Sequence, residues 1–202
     1  MRILVADTET GGTDPAKQSL LQIGAVAGNL ETGEIYDSLE HYLKLPKIED
    51  YVIEEEAAEK HAQNLSAKLC FTVGLTKEEL AVKFTDLYYK NNCVLLGGHN
   101  VDFDVDFIST QIFGCSRQTF KDNFTYRILD SNSIIRLFAG VDDMKQGSTL
   151  KQTVKALGIE TGDIQGAGFH SALYDSIVSF RILHKFRRVL TLPSVVRLLT
   201  EA

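Results

Sequence analysis

Arg2-Ile3-Leu4-Val5-Ala6-Asp7-Thr8-Glu9-Thr10-Gly11, at the start of the chain, decides how the rest is read. Residues 2–7 carry apolar side chains toward both faces of an extended strand, the pattern of a strand in the middle of a sheet. Side chains alternate along a strand, so Asp7 and Glu9 leave the same face. Two carboxylates side by side repel each other, and a divalent, oxygen-preferring ion such as Mg2+ or Mn2+ relieves the repulsion. The competing account is that Asp7 merely ends the strand and Glu9 is solvated. The motif alone does not separate the two.

Outward from this strand, Gly11, Gly12 and Asp14-Pro15 interrupt the pattern. Residues 20–29 and 34–45 form two more strands around a turn at Glu31-Thr32-Gly33. A polar stretch follows, with a short helix near Glu54–His61. Thr76-Lys77-Glu78-Glu79 has the form of a capping box, opening a helix to about Tyr89 with Leu80, Phe84, Leu87 and Tyr88 on one side. A strand at Cys93–Gly97, a helix from about Asn100 to Phe113, a short strand at Arg127–Asp130 and a helix at Ser131–Phe138 come next. Ser148 caps a helix that runs to Leu157 and stops at Gly158. The Gly-rich stretch Gly162–Gly168 leads into a long helix from about Ser171 to Val189, and Pro193 starts a last short one. Three early strands followed by β-α-β-α alternation predict an α/β fold with a mixed sheet and helices packed on it. With no internal repeat, low-complexity tract or linker, residues 1–202 are expected to form a single domain.

Composition sets the bounds. Hydrophobic residues make up 44% and charged residues 24%, a globular balance. No apolar run approaches the ~20 residues of a membrane-spanning helix, and the N-terminal apolar stretch is too short for a signal peptide. The expectation is a soluble cytoplasmic protein. Cys70, Cys93 and Cys115 form no C-x-x-C pair, which argues against a disulfide framework or a zinc site. The net charge of −6 speaks against broad phosphate-backbone binding. The objection weakens if four of the acids hold two divalent ions, which would leave the loaded protein near −2. A basic cluster at Lys185, Arg187 and Arg188 is assigned to the C-terminus of its own helix in preference to a nucleic-acid groove.

Two more acidic motifs follow. In Gly98-His99-Asn100-Val101-Asp102-Phe103-Asp104-Val105-Asp106-Phe107 three acids alternate. If Asn100 caps the helix, Asp102 and Asp106 share one face, four apart, and Asp104 lies ~200° away. Asp102 and Asp106 are assigned to the positive N-terminal end of the helix, Asp104 to the site, and His99 to a structural role. In His170-Ser171-Ala172-Leu173-Tyr174-Asp175, a fully helical stretch would separate His170 from Asp175 by ~140°. A helix that starts at Ser171 leaves His170 in the preceding loop, free to approach the site, and Gly166-Ala167-Gly168 would permit the movement. In isolation, an exposed loop histidine and a surface acid are the commoner outcome.

Taken in order, Asp7-Thr8-Glu9, the His99–Phe107 motif and His170 to Asp175 resemble the DEDDh branch of the 3′–5′ exonuclease superfamily. That branch includes the proofreading subunit of bacterial replicative polymerase, ribonuclease T and oligoribonuclease. The resemblance runs over about residues 3–180; each motif alone is weak, and the ordered set is strong. It implies a ribonuclease H-like mixed five-stranded sheet with helices on both faces, the first three strands antiparallel. It also implies that Asp7, Glu9, Asp104 and Asp175 hold two Mg2+ or Mn2+ ions, with Asp7 between them, and that His170 takes the proton from the attacking water. The implied reaction releases 5′-mononucleotides from the 3′ end of single-stranded DNA or RNA. Thr10 and Gly11 are then expected beside the terminal nucleotide, and Asp130, in Leu129-Asp130-Ser131, is a supporting residue. Phe103 could border the terminal base or belong to the core. Some relatives are homodimers or polymerase subunits, so either partner is possible. The alternatives are a catalytically idle module of the same fold associated with a polymerase, and a metal-dependent phosphatase. The phosphatase needs D-x-D-x-T, where this chain has Glu9 and Gly11. An endonuclease or integrase on the same scaffold fits His170 and Asp175 less well.

Overall fold

The computed structural model describes residues 1–61, 66–138, 149–164 and 170–191. Its sheet has five strands: β1 (Arg2–Thr10), β2 (Leu20–Asn29), β3 (Glu34–Tyr42), β4 (Leu95–Gly98) and β5 (Ile128–Asp130). They lie in the order β3-β2-β1-β4-β5. β1 pairs antiparallel with β2, and β2 antiparallel with β3, while β4 and β5 run parallel to β1. β1 is thus central, as its two apolar faces require.

Alternation along β1 divides the core. Leu4 and Ala6 face a cluster with Leu80, Phe84 and Leu87 of α3 (Lys77–Lys90) and Val101 and Val105 of α4 (Val101–Phe107). Ile3 and Val5 face Phe180 and Leu183 of α8 (Ala172–Leu190). Helices therefore cover both sheet faces. Asp7 and Glu9 continue the odd-numbered face and come under the start of α8. Along β2, Gly24 has no side chain where α8 begins, and a Cβ there would overlap the Ala172 backbone. The Ser176 hydroxyl donates to the Gly24 carbonyl at 3.0 Å, closing the same contact. Glycine is what lets the helix end lie directly on the sheet.

Several boundaries depart from expectation. β1 runs on to Thr10, so Asp7 and Glu9 are strand residues and not residues beyond its end. Besides α1 (Glu55–His61), two further short helices occur: α2 (Ala67–Val73) and α5 (Arg117–Asn123). Each has seven residues, too few for a helical period to stand out, and each is capped by a serine, Ser66 and Ser116. The helix expected from Asn100 to Phe113 is α4 followed by a π turn at Ile108–Ile112. The capping box at Thr76 and Glu79 forms as expected. α6 spans Ser131–Phe138, and α7 spans Leu150–Leu157 with Thr149 as its cap. Ser148, Gly166-Ala167-Gly168 and the helix expected at Pro193 lie outside the described residues.

Candidate active site

The site lies at the C-terminal end of β1, where β1 and β2 change register. Glu9 stands opposite Gln22, but Thr10 stands opposite Leu20, so β2 carries a bulge at Leu21. Asp104, 3% exposed, reaches this end from α4. It is held there by Thr8, whose backbone N–H and hydroxyl both donate to its Oδ1, at 2.8 and 2.7 Å. Asp175, in the first turn of α8, is buried as well. His170 sits just before the Ser171 cap, outside the helix, with φ of +70°. Its backbone N–H donates to Asp175 Oδ2 at 3.2 Å. One ligand atom each from Glu9, His170 and Asp175 come within 4.8 Å of one another. A non-glycine residue in the left-handed region is uncommon, and such residues cluster at functional sites.

The carboxylates are electrostatically frustrated. Loss of water raises Asp7 well above the ordinary carboxylate range, and the charges of Asp104, Asp175 and Glu9 raise it further. Glu9 is pushed up to about 8, first by burial and then by Asp175 and Asp104. Burial takes Asp104 to about 7 against the two Thr8 hydrogen bonds, which pull the other way. Burial takes Asp175 to about 7, opposed by the hydrogen bond from the His170 backbone. Asp175 Oδ1 is buried with no hydrogen-bond partner. Four acids raised by burial, two of them raised further by their neighbours, with Asp175 Oδ1 unpartnered among the described residues and ligand atoms of Glu9, Asp175 and His170 already close, match the donor set of a hard divalent cation. The chemistry of these residues fits Mg2+ or Mn2+.

Some expected members sit differently. Asn100 occupies the cap position of α4, but its backbone is left-handed and its side chain makes no capping hydrogen bond. Its N–H instead donates to Asp130 Oδ1 at 2.6 Å. Asp130 also accepts from the Ser133 N–H and hydroxyl and the Asn132 N–H. Burial alone would raise it, yet these hydrogen bonds together hold it below the ordinary value. His99 Nδ1 meets the Ser131 hydroxyl at 2.9 Å. Asp102 and Asp106 point away from the site and pair with Arg117, so a cation and not the helix end is their main partner. Gly11 is bare for a local reason: a Cβ there would overlap the Val52 carbonyl oxygen. Its N–H and C=O bond Ser19 and Glu54, both at 2.7 Å. Thr10 lines a small cavity of about 210 Å3 with Gly12, Thr13, Phe103 and the Glu54–Lys60 stretch at α1.

A second set of residues positions the first. Glu40 on β3 accepts from the Ser171 hydroxyl at 2.7 Å and from Gln22 Nε2 at 3.2 Å. Gln22 Oε1 accepts from the Ala172 N–H at 3.2 Å. The outer strands thus hold the first turn of α8, and with it His170 and Asp175. Thr8 and Ser171 sit inside the first and third acidic motifs without being acids, and Gln22 and Glu40 lie outside all three. Only the register that sets Gln22 opposite Glu9 could have drawn attention to one of them.

Comparison with known proteins agrees with this geometry. The family model described as RNase_T, Exonuclease, matches residues 4–183. The fold superposes on Schizosaccharomyces pombe Pop2p, solved in an Mg2+- and Mn2+-bound form, with a TM-score of 0.68 at 14% identity; the match covers 92% of this chain and 82% of that one. It superposes on Escherichia coli exonuclease I in complex with a 5cy-dT13 oligonucleotide with a TM-score of 0.69 at 21% identity, over 93% of this chain and 41% of that one. A complex of the same enzyme with a dA16 oligonucleotide gives 0.70 at 20% identity, with 93% and 41% covered. The chain therefore spans less than half the length of the exonuclease I chains it matches. No helix among the described residues is long and apolar enough to cross a membrane. The sheet order, the acidic end of β1 and the match from residue 4 to residue 183 point one way: this chain belongs to the RNase_T exonuclease family.

Proposed function

We propose that this chain is a metal-dependent 3′–5′ exonuclease that releases 5′-mononucleotides from single-stranded DNA or RNA, with residues 1–202 working as one domain in the cytoplasm. The observation that carries the proposal is the meeting of Glu9, His170 and Asp175 beside Asp7 and Asp104, with the carboxylates raised by burial and Asp7 and Glu9 raised further by their neighbours. Asp7, Glu9, Asp104 and Asp175 would hold two Mg2+ or Mn2+ ions, whose charge offsets the negative charge that builds on the phosphate during hydrolysis.

The chain's own residues supply the rest. A ring nitrogen of His170 takes a proton from the attacking water; histidine suits this because its ordinary pKa lies near 6.5. A new bond forms from the water oxygen to phosphorus, and the bond from phosphorus to the 3′ oxygen of the shortened strand breaks. Asp175 accepts from the His170 backbone and so fixes the loop that carries the imidazole. Thr8 keeps Asp104 turned toward Asp7. The cavity at Thr10 and Phe103 is the place for the terminal nucleotide. The backbone of Thr10 and Gly11 would lie beside that nucleotide, and Gly11 also lets Val52 pack against this backbone. All five site residues come from this chain, and a second copy or a polymerase subunit would add to substrate binding.

The test is a ladder assay. Single-stranded DNA and RNA of one sequence, labelled at the 5′ end, are incubated with Mn2+, Mg2+ or EDTA. Stepwise shortening from the 3′ end with metal, absent in EDTA and in Asp7→Ala, is the expected result, and the faster polymer names the substrate. No cleavage of either polymer under any metal would favour a catalytically idle module. Inorganic phosphate released from small phosphoesters would favour a phosphatase.

A further inference from the structure

α8 carries a second concentration of charge, far from the acids. Arg181, His184, Lys185 and Arg188 lie on one side of the helix at spacings of three, one and three residues. All four line an open surface cavity of about 650 Å3, bordered by Thr32 and Gly33 of the β2–β3 turn and by Gly158 to Glu160 after α7. Thirteen helical residues separate Asp175 from Arg188, or ~20 Å, so this cavity is distinct from the candidate active site.

The hydrogen bonds show which groups are already used. Arg181 forms a two-pronged pair with Asp163, both contacts at 2.7 Å, and is neutralised. Lys185 donates to the Leu157 carbonyl at the end of α7, which leaves two of its three donors. His184 Nδ1 bonds the Leu30 carbonyl at 2.8 Å. Its other nitrogen faces Gly33, 2.8 Å from where a Cβ would stand. Arg187 turns away to Glu31. The Arg188 and Glu160 side chains have no hydrogen-bond or ion-pair partner among the described residues. The cavity therefore offers an unpaired guanidinium and a part-used ammonium on one wall. The Glu160 carboxylate, without a hydrogen-bond or ion-pair partner among the described residues, lines the same cavity, with Ile159 and Val189 as apolar lining.

We propose that this cavity binds a phosphate-bearing small molecule of about mononucleotide size. The phosphate lies against Arg188 and Lys185, a hydroxyl or amino group donates to Glu160, and the remainder packs on Ile159 and Val189. An arginine fork and a lysine ammonium suit a multi-oxygen anion. The volume falls within the range of small-ligand sites. An extended nucleic-acid strand fits less well, because the Glu160 carboxylate lines the same cavity that its successive phosphates would have to cross.

The test uses the full chain carrying Asp7→Asn, in EDTA, so that the candidate active site holds no cation. Calorimetric titrations with inorganic phosphate, adenosine, adenosine 5′-monophosphate and a single-stranded octanucleotide are compared. Saturable binding of the monophosphate, weaker binding of phosphate and none of adenosine are expected. Arg188→Ala should weaken the monophosphate about tenfold or more, the loss of one charged hydrogen bond. Because the Arg188 side chain has no partner among the described residues, the melting temperature should stay unchanged. Absence of binding by both phosphate and the monophosphate overturns the proposal, as does binding indifferent to Arg188→Ala. An octanucleotide that binds more tightly than the monophosphate would make the cavity a strand groove and overturn it too. None of these outcomes depends on nuclease activity.

Discussion

The two sides of α4 carry the same kind of residue and treat it in opposite ways. Asp102 and Asp106 face outward. Arg117 lies 3.0 Å from Asp102 and its Nε donates to Asp106 at 2.5 Å, while Lys121 stands 3.6 Å from Asp102. Asp104, two residues from each, is buried at the end of β1 beside Asp7 and Glu9, and burial pushes it up to about 7. The same contrast separates Asp130, lowered by a ring of donors, from Asp104 beside it. Acids that have found a cation or several N–H groups hold structure together. Acids buried together raise one another and favour the binding of a divalent cation.

The predictions test that division, beginning with the largest effect. Replacing Asp7, Glu9 or Asp175 by its amide should lower metal-dependent hydrolysis roughly a thousandfold or more, as for residues that act as a unit. Arg117→Ala should leave the rate nearly unchanged and cost about 1 kcal/mol of stability, read as a fall of about 2–4 °C in melting temperature. A rate that collapses with Arg117→Ala would erase the distinction.

His170→Ala should reduce kcat by about 10²–10⁴ with little change in KM, the range for a lost general base. A loss confined to KM would move His170 from proton transfer to substrate binding.

Stability against pH reports the carboxylates without any substrate. In the metal-free native state each raised acid keeps its proton at pH values where the unfolded chain has lost it. Stability therefore falls as pH rises from the ordinary values of 3.8 and 4.5 through the folded values of about 7 and about 8. In EDTA the melting temperature should drop between pH 5 and pH 8. Millimolar Mn2+ should restore several degrees at pH 8, and Asp104→Asn should flatten the slope. A melting temperature that rises over this range in EDTA would show that the acids do not repel as described.

Gly24→Ala and Glu40→Gln should have smaller effects. The added methyl collides with the Ala172 backbone and should cost about 1–3 kcal/mol while loosening His170 and Asp175 together. Glu40→Gln keeps an acceptor for Ser171 and should retain most activity, whereas Glu40→Ala should lower kcat severalfold. Equal losses from both Glu40 variants would point to its charge in place of its hydrogen bonds.

Much of this was legible in the sequence, for reasons that can be named. The apolar run at Ile3–Ala6, the capping box at Thr76 and the stripe of Leu80, Phe84, Leu87 and Tyr88 after it are strong local signals, and they fix the central strand and one main helix. The alternation of Asp102, Asp104 and Asp106 already forced two opposite faces. What stayed hidden depends on contacts far apart in the chain. Asp102 pairs with Arg117 from a seven-residue helix that leaves no periodic trace. Gly11 accommodates Val52, and Gly24 accommodates Ala172, across 41 and 148 positions that no local pattern links. The Glu40–Ser171 bond joins two polar residues of unremarkable surroundings. Asn100 looked like a helix cap by type and place, yet Asp130 captures its N–H and a left-handed backbone results.

The most direct measurement compares two acids of one helix. Wild type, Asp104→Asn and Asp106→Asn are given the same 5′-labelled single-stranded oligonucleotide with Mn2+, and shortening from the 3′ end is followed in time. The account predicts that Asp106→Asn keeps a rate within severalfold of wild type while Asp104→Asn loses nearly all of it. Equal rates for the two variants, or cleavage that survives Asp104→Asn, would contradict the assignment of Asp104 to a metal-dependent centre.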